Sequence, residues 1–264
     1  MAFGRNDRWR TVEVDEGEGM DRGQLRSRKV VAISQSSYIP WKGYFDLIAR
    51  ADEFILLDDV QYTRRDWRNR NRIKTPHGPR WITVPVHAKG VQQQGTPICE
   101  IEVTGHDWAR DHWRLIQQAY RDAPFLREYA ERLESLYETC AAQSYLSAIN
   151  RMCIEAVMSL LGISTTVSWS MDYPSSGRRT EKLLELCLAA SGTEYLAGPR
   201  SRNYLDEGAF ENAGLCVTYM DYSGYESYRQ LHGAFDHHVS VVDLLLNVGP
   251  EAPKYMDAKN WRSR

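Results

Sequence analysis

The stretch Phe54-Ile-Leu-Leu-Asp58-Asp59-Val60-Gln61-Tyr62 reads as a short buried strand that ends on two adjacent carboxylates. Upstream, Val30-Val-Ala-Ile-Ser34 is a second apolar run without helical caps, and between the two lie a loop, Gln35 to Gly43, and an amphipathic segment from Tyr44 to Ala51. Strand, loop, short helix and strand within about 30 residues is the βαβ unit of a parallel sheet. Ligands of such sheets sit at the carboxyl ends of the strands. That geometry predicts Ser34, Gln35, Tyr38, Trp41 and Lys42 beside Asp58 and Asp59, with Gln61 just beyond. Gln35, Asp58 and Asp59 are therefore the candidate catalytic residues, and Tyr38, Trp41, Lys42 and Gln61 candidate substrate contacts.

Downstream, Arg64-Arg65-Asp66-Trp67-Arg68-Asn69-Arg70-Asn71-Arg72-Ile73-Lys74 carries six cations against one anion. From Trp67 to Lys74 the pattern has period two, with Arg68, Arg70, Arg72 and Lys74 on one side and Trp67, Asn69, Asn71 and Ile73 on the other. The turn residues Thr75 to Pro79 and the run Arg80 to Val86 complete an antiparallel hairpin hung on the parallel sheet. A helical reading of residues 64–72 also gathers the charges. The guanidinium forks of Arg65, Arg70 and Arg72 and the ammonium of Lys74 suit phosphate, the amides of Asn69 and Asn71 suit sugar hydroxyls or base edges, and Trp67 can stack on a ring. The bland alternative is a charged edge strand that discourages aggregation.

Farther on, Ile98 to Val103 reads as a strand, and helical segments follow over 106–120, 124–137 and 144–161, with Pro124 in a first turn and Gly162 as a stop. These form a helical insertion at about 106–162. Alternation then resumes with a strand at Thr165 to Met171, a helix at Thr180 to Ala190, short strands at Glu194 to Leu196 and Cys216 to Tyr222, and a last helix at Ser240 to Val248. Residues 29–250 thus form one α/β domain, Rossmann-like, with a mainly parallel sheet. Residues 1–28 read as a disordered tail and 251–264 as a polar tail.

The totals exclude several classes. A net charge of −2 over 264 residues is not that of a globally basic nucleic-acid coat, so a polyanion site must be local. Gln61 to Gly90 is such a place, with eight Lys/Arg against the lone Asp66. Five widely spaced cysteines without a C-x-x-C pair indicate reduced thiols in a cytoplasmic protein. No apolar run spans a membrane.

Asp58-Asp59 can take a proton or hold Mg²⁺ against a phosphate, because a hard cation wants carboxylate oxygens; the alternative is one Asp paired with an Arg and the other capping a turn. Ser175-Ser-Gly-Arg178-Arg-Thr180 lies before a helix, where free amides favour an anion, and Gly198-Pro-Arg200-Ser-Arg-Asn203 has the same character. Arg178, Arg200 and Asn203 are candidate contacts on that ground. The seven histidines do not converge at metal-ligand spacing, so no metal ligands are assigned from them. The tyrosines at 219, 222, 225 and 228 can line a pocket, although aromatic stripes more often belong to a core.

At Gln35-x-x-Tyr38-x-Pro40-Trp41-x-Gly43-Tyr44-Phe45, Leu57-Asp58-Asp59-Val60-Gln61-Tyr62, Trp67-x-Asn69-Arg70-Asn71-x-Ile73-Lys74 and Val84-Pro85-Val86 the chain resembles the WbqC-like family. Tyr195-Leu-x-Gly198-Pro and Ser240-Val-Val-Asp243-Leu-Leu-Leu-Asn247-x-Gly249 extend the resemblance over about residues 30–250. Where family members commonly read His-Gln-Pro, this chain has Ser34-Gln35-Ser36. The resemblance implies a role around nucleotide-activated sugars, or aminoacyl modification of amino-sugar-like amines, in surface-polysaccharide or natural-product biosynthesis. The order of elements is also similar to adenylate-forming nucleotidyltransferase folds, without their H-x-G-H signature. The expected function is a transferase acting on a phosphorylated or nucleotide-linked substrate, with Mg²⁺ a candidate cofactor. The alternative is a protein that binds a tRNA acceptor end or a nucleotide sugar without chemistry.

Overall fold

A computed structural model describes residues 27–87 and 89–256; the expected disordered N-terminal tail lies almost wholly outside them. In chain order come β1 (Val30–Ser34), α1 (Lys42–Ala49), β2 (Glu53–Leu56), the hairpin strands β3 (Arg70–Thr75) and β4 (Gly78–Thr83), and a single turn α2 (Val91–Gln94). Three longer helices follow: α3 (Asp107–Ala119), α4 (Leu126–Ala141) and α5 (Leu146–Leu161). The chain closes with β5 (Thr166–Trp169), α6 (Thr180–Ala189), β6 (Glu194–Ala197), α7 (Glu207–Asn212), β7 (Cys216–Tyr219) and α8 (Val241–Val248).

Five strands make one parallel sheet in the order β5-β2-β1-β6-β7, and β3 and β4 form a separate antiparallel pair. This is the α/β fold expected from the sequence. The alternation of strand side chains decides its layers. Val30 and Ala32 of β1, with Phe54 and Leu56 of β2, join the core built on α1, α3, α4, α5 and α8. Val31, Ile33 and Ile55 face the other way, onto Leu183, Leu186 and Cys187 of α6 and Phe210 of α7. Apolar residues on both faces are what a strand covered on both sides requires.

Counted by appearance, the parallel strands lie in the order 3-2-1-4-5, so the winding reverses between β1 and β6. The loops after these two strands leave in opposite directions and open a crevice at their carboxyl ends. The loop after β1 is held by the hairpin. Asn71 Nδ2 donates to the carbonyls of Tyr38 (3.1 Å) and Ile39 (2.8 Å), and Ser240 Oγ donates to the same Ile39 carbonyl (2.8 Å). Ile39 needs that support, because a β-branched residue at φ 35° sits in a region such side chains avoid.

Four local expectations are corrected. Residues 98–103 form a 3-10 turn (Ile98–Glu100) and isolated bridges, not a strand, because their amides pair with Val60 and Pro97 carbonyls. Strand β3 begins at Arg70, and Trp67 to Asn69 lie in the preceding turn, so residues 64–72 are neither helix nor one continuous strand. Pro124 precedes α4 rather than opening its first turn. Finally, residues 251–255, expected in the polar tail, belong to a 3-10 helix (Gly249–Tyr255), and Ala252 and the following Met256 are buried against the helical core.

Candidate functional site

The two carboxylates at the end of β2 do not form a joint site, because successive side chains of an extended chain face opposite sides. Asp58 is fully buried; its carboxylate accepts from the Ser36 amide (2.9 Å) and from Ser147 Oγ (2.5 Å). Burial raises its pKa, and the hydrogen bonds from Ser147 and Ser36 and the nearby Arg68 charge only partly offset this. Asp59 points to the other layer, where Ser170 Oγ (2.6 Å) and Lys182 Nζ (2.6 Å) donate to its two oxygens. Lys182 also donates to Ser175 Oγ (3.2 Å), and both members of the Lys182–Asp59 pair retain some exposure, 12% and 25%. Among the described residues no group of three or more His, Cys, Asp or Glu side chains stands where it could hold a metal ion. The divergence of Asp58 from Asp59 does not fit a shared Mg²⁺, and no step is routed through one.

The hairpin cations do not gather over the acidic pair. Only Arg68 reaches that end, donating to the Ser36 carbonyl (2.8 Å). Arg70 donates to the Arg65 carbonyl (2.5 Å), Arg72 to the His238 carbonyl (2.9 Å) beside Asp236 (3.4 Å), and Lys74 to Gln230 Oε1 (3.0 Å) and the Ala234 carbonyl (2.6 Å). The physical reason is a second element that the sequence did not reveal. Residues 221–240 contain no helix or strand, yet side chains and backbone groups between Tyr225 and Ser240 tie them to the rest of the fold.

That strap crosses the start of α1 and the outer face of the hairpin. Tyr225 Oη donates to Asp46 (2.7 Å), and Tyr228 Oη to Asp243 (2.7 Å), which also accepts from Tyr120 (2.9 Å). Trp41 stacks on His238, with centroids 6.0 Å apart and planes 17° apart. Lys42, 3% exposed, lies 4.7 Å from the Tyr225 ring centre and 5.5 Å from that of Tyr228, and donates to the Glu226 carbonyl (3.2 Å). Burial lowers its pKa to about 8, with Asp46 as the opposing influence. A loop of this length without regular structure is uncommon in a compact domain and is usually functional when ordered. Its signal in the sequence was the unperiodic run of Tyr, Asp and His between Asp221 and His238.

Other sequence-predicted residues separate into clamps and open positions. Tyr38 is fully buried, donating to Tyr137 Oη (3.1 Å) with His112 Nδ1 2.9 Å away. Asn69 donates to the Val84 carbonyl (2.8 Å), so it and Asn71 hold backbone rather than face solvent. Gln35 is half-buried with its carbonyl accepting from Tyr44 Oη (3.0 Å), and Gln61 is exposed and bridges to Pro97. Trp67 and Arg65 are exposed.

The two small-residue turns meet at the sheet rim. Thr180 Oγ1, at the start of α6, donates to the Tyr204 carbonyl (3.5 Å) and accepts from the Asp206 amide (3.3 Å). Arg178 lies on one of these turns and Arg200 and Asn203 on the other, all three exposed. Neither Arg178 nor Arg200 makes an ion pair among the described residues. The expected amide nest at 175–180 is present, but the carboxylate of Glu185 occupies it, accepting from the Ser176 (2.8 Å) and Gly177 (2.9 Å) amides, which hold its pKa low. Lys182 and Ser170 were missed by sequence reasoning. Lys182 could have been suspected, since a Lys in the first helical turn after a strand end points back toward that end.

No helix among the described residues is long and apolar enough to cross a membrane. No solved structure matches the chain. The uncharacterized protein Rv1507c of Mycobacterium tuberculosis is 50% identical over 228 residues, which is 86% of this chain and 97% of that protein. A sequence model of the WbqC-like protein family matches residues 35–255, which takes in the β1 loop, the hairpin, the Asp59–Lys182 rim and the strap, and the chain belongs to that family.

Proposed function

We propose that the chain is a transferase that binds a phosphorylated or nucleotide-linked amine, of amino-sugar type, at the carboxyl rim of the parallel sheet and moves an acyl or aminoacyl group onto it. The observation that supports this reading is the part-open Asp59–Lys182 pair at the end of β2, together with the exposed, unpaired guanidiniums of Arg178 and Arg200 on the two turns that Thr180 joins. The cations neutralise the phosphate and Asn203 contacts the sugar. Asp59, positioned by Ser170 and Lys182, takes the proton from the attacking amine as a carbon–nitrogen bond forms, and passes it to the ester oxygen as the carbon–oxygen bond breaks and the alcohol leaves. In this reading Gln35, on the neighbouring loop after β1, orients the amine.

Thermal-shift screening against nucleotides, nucleotide sugars and charged or uncharged tRNA, with and without Mg²⁺, identifies the ligand class. With a ligand in hand, Asp59→Asn abolishes turnover while the protein remains folded. Unchanged turnover in that variant removes the carboxylate from the mechanism.

A further inference from the structure

A furrow of about 370 Å³ runs between β4 and α3, lined by residues that include Arg80, Trp81, Thr83, Asp111, Arg114 and Gln118. It continues into a second of about 670 Å³ that shares Arg80, Trp81 and Gln118 and reaches the hairpin turn. At its mouth Trp81 and Trp67 are 42% and 39% exposed, with ring centroids 5.2 Å apart and planes tilted by 40°. Two indoles left in water side by side are unusual, because each forgoes a large apolar burial.

The surroundings are cationic. The Arg70 guanidinium lies 4.2 Å from the Trp81 ring centre and that of Arg72 5.8 Å. The Nε atoms of both arginines are buried without a hydrogen-bond partner. Arg64, Arg65, Arg80 and Arg114 are exposed and make no ion pair among the described residues. Of the nearby acids, Asp66 accepts from Thr63 and the Trp67 amide, while Asp111, the one carboxylate lining the first furrow, lies 3.8 Å from Arg110 and is outnumbered by the arginines.

We infer that this surface binds a single-stranded polynucleotide, whose bases stack on Trp67 and Trp81 while its phosphates follow the arginines along the furrow. Adjacent indoles offer faces that only unstacked bases can reach, which disfavours a duplex. Stacking accepts any base, and the guanidiniums track the backbone, so affinity is salt-dependent and tolerant of sequence. An added peptide strand is the poorer occupant, because Pro79 interrupts the donors of β4 and a peptide does not require the charge. The inference is independent of the transfer reaction, since none of these residues lies on the Asp59–Lys182 rim.

The test is fluorescence anisotropy of the full chain with labelled oligo(U), oligo(dT) and a duplex, each about ten nucleotides long, a length within the span of such sites. The expected result is binding of a single strand at least about tenfold tighter than of the duplex, falling steeply between about 50 and 200 mM salt. Trp67→Ala and Trp81→Ala each weaken it by roughly 5- to 100-fold at an unchanged melting temperature. Arg80→Glu with Arg114→Glu, both at exposed positions, weakens binding and flattens the salt dependence even if an indole variant misfolds. A preference for oligo(U) or for oligo(dT) supports the inference equally and identifies the sugar. Absence of binding, equal affinity for the duplex, or folded tryptophan variants that bind like the parent overturn it.

Discussion

Replacing Lys42 by Met separates the cost of burying an ammonium from whatever the strap gains by holding it. Lys42 is 3% exposed, among two tyrosine rings, one carbonyl and the opposing charge of Asp46, and its pKa stands at about 8 against 10.5 when free. The folded-state value is the lower one, so between pH 8 and 10.5 the unfolded chain binds more protons and stability rises with pH. At 1.36 kcal/mol per unit the full gain is about 3 kcal/mol, and solvent screening reduces it to about 1–3 kcal/mol. The Met variant lacks this proton linkage. Its stability relative to the parent is therefore greatest at pH 7 and declines toward pH 10.5, a change of about 3–10 °C in the melting-temperature difference for a domain of this size. Chemical or thermal denaturation of both proteins across that range is the assay, and the other titrating groups cancel in the difference. A difference that stays flat from pH 7 to 10.5 refutes the claim that Lys42 is desolvated in the folded protein.

Three further outcomes follow from particular contacts. Gly43→Ala in a helix ordinarily stabilises by about 0.5–1 kcal/mol, but here the added Cβ meets the Trp41 ring at 2.4–2.8 Å. The variant instead loses about 1–3 kcal/mol in urea melts, and indole fluorescence reports displacement of Trp41 from His238. Tyr228→Phe removes a donor from buried Asp243 and costs about 1–3 kcal/mol near neutrality. Burial already raises the Asp243 pKa, so its penalty grows as pH rises through the folded value, and the deficit shrinks in acid denaturation profiles. Lys182→Ala leaves Asp59 with Ser170 alone and costs about 1–3 kcal/mol, read by denaturation; Asp59→Asn/Lys182→Ala costs less than the two single changes added, if the pair couples as its 2.6 Å contact implies.

The apolar runs Val30 to Ile33 and Phe54 to Leu57, the helix between them and the turn at Thr75 to Gly78 determined by themselves that the chain forms a parallel sheet with an added hairpin. Hydrophobic periodicity and turn chemistry are local properties, and they survive without knowledge of neighbours. The placement of Gln35, Asp58 and Asp59 at strand ends was legible for the same reason. The partners were not. Asp58 faces Ser36 and Ser147 while Asp59 faces Lys182, 123 residues away, because alternation sends adjacent side chains to different layers and only the packing of those layers says what waits there. The hairpin cations were equally visible in number and invisible in destination. Arg72 and Lys74 turn to Asp236, Gln230 and backbone carbonyls of a strap that has no periodic signature. Residues far apart in sequence meet only after the chain has closed its long loops, so the tertiary structure alone decided which charges are spent on architecture and which, like Arg178 and Arg200, remain exposed.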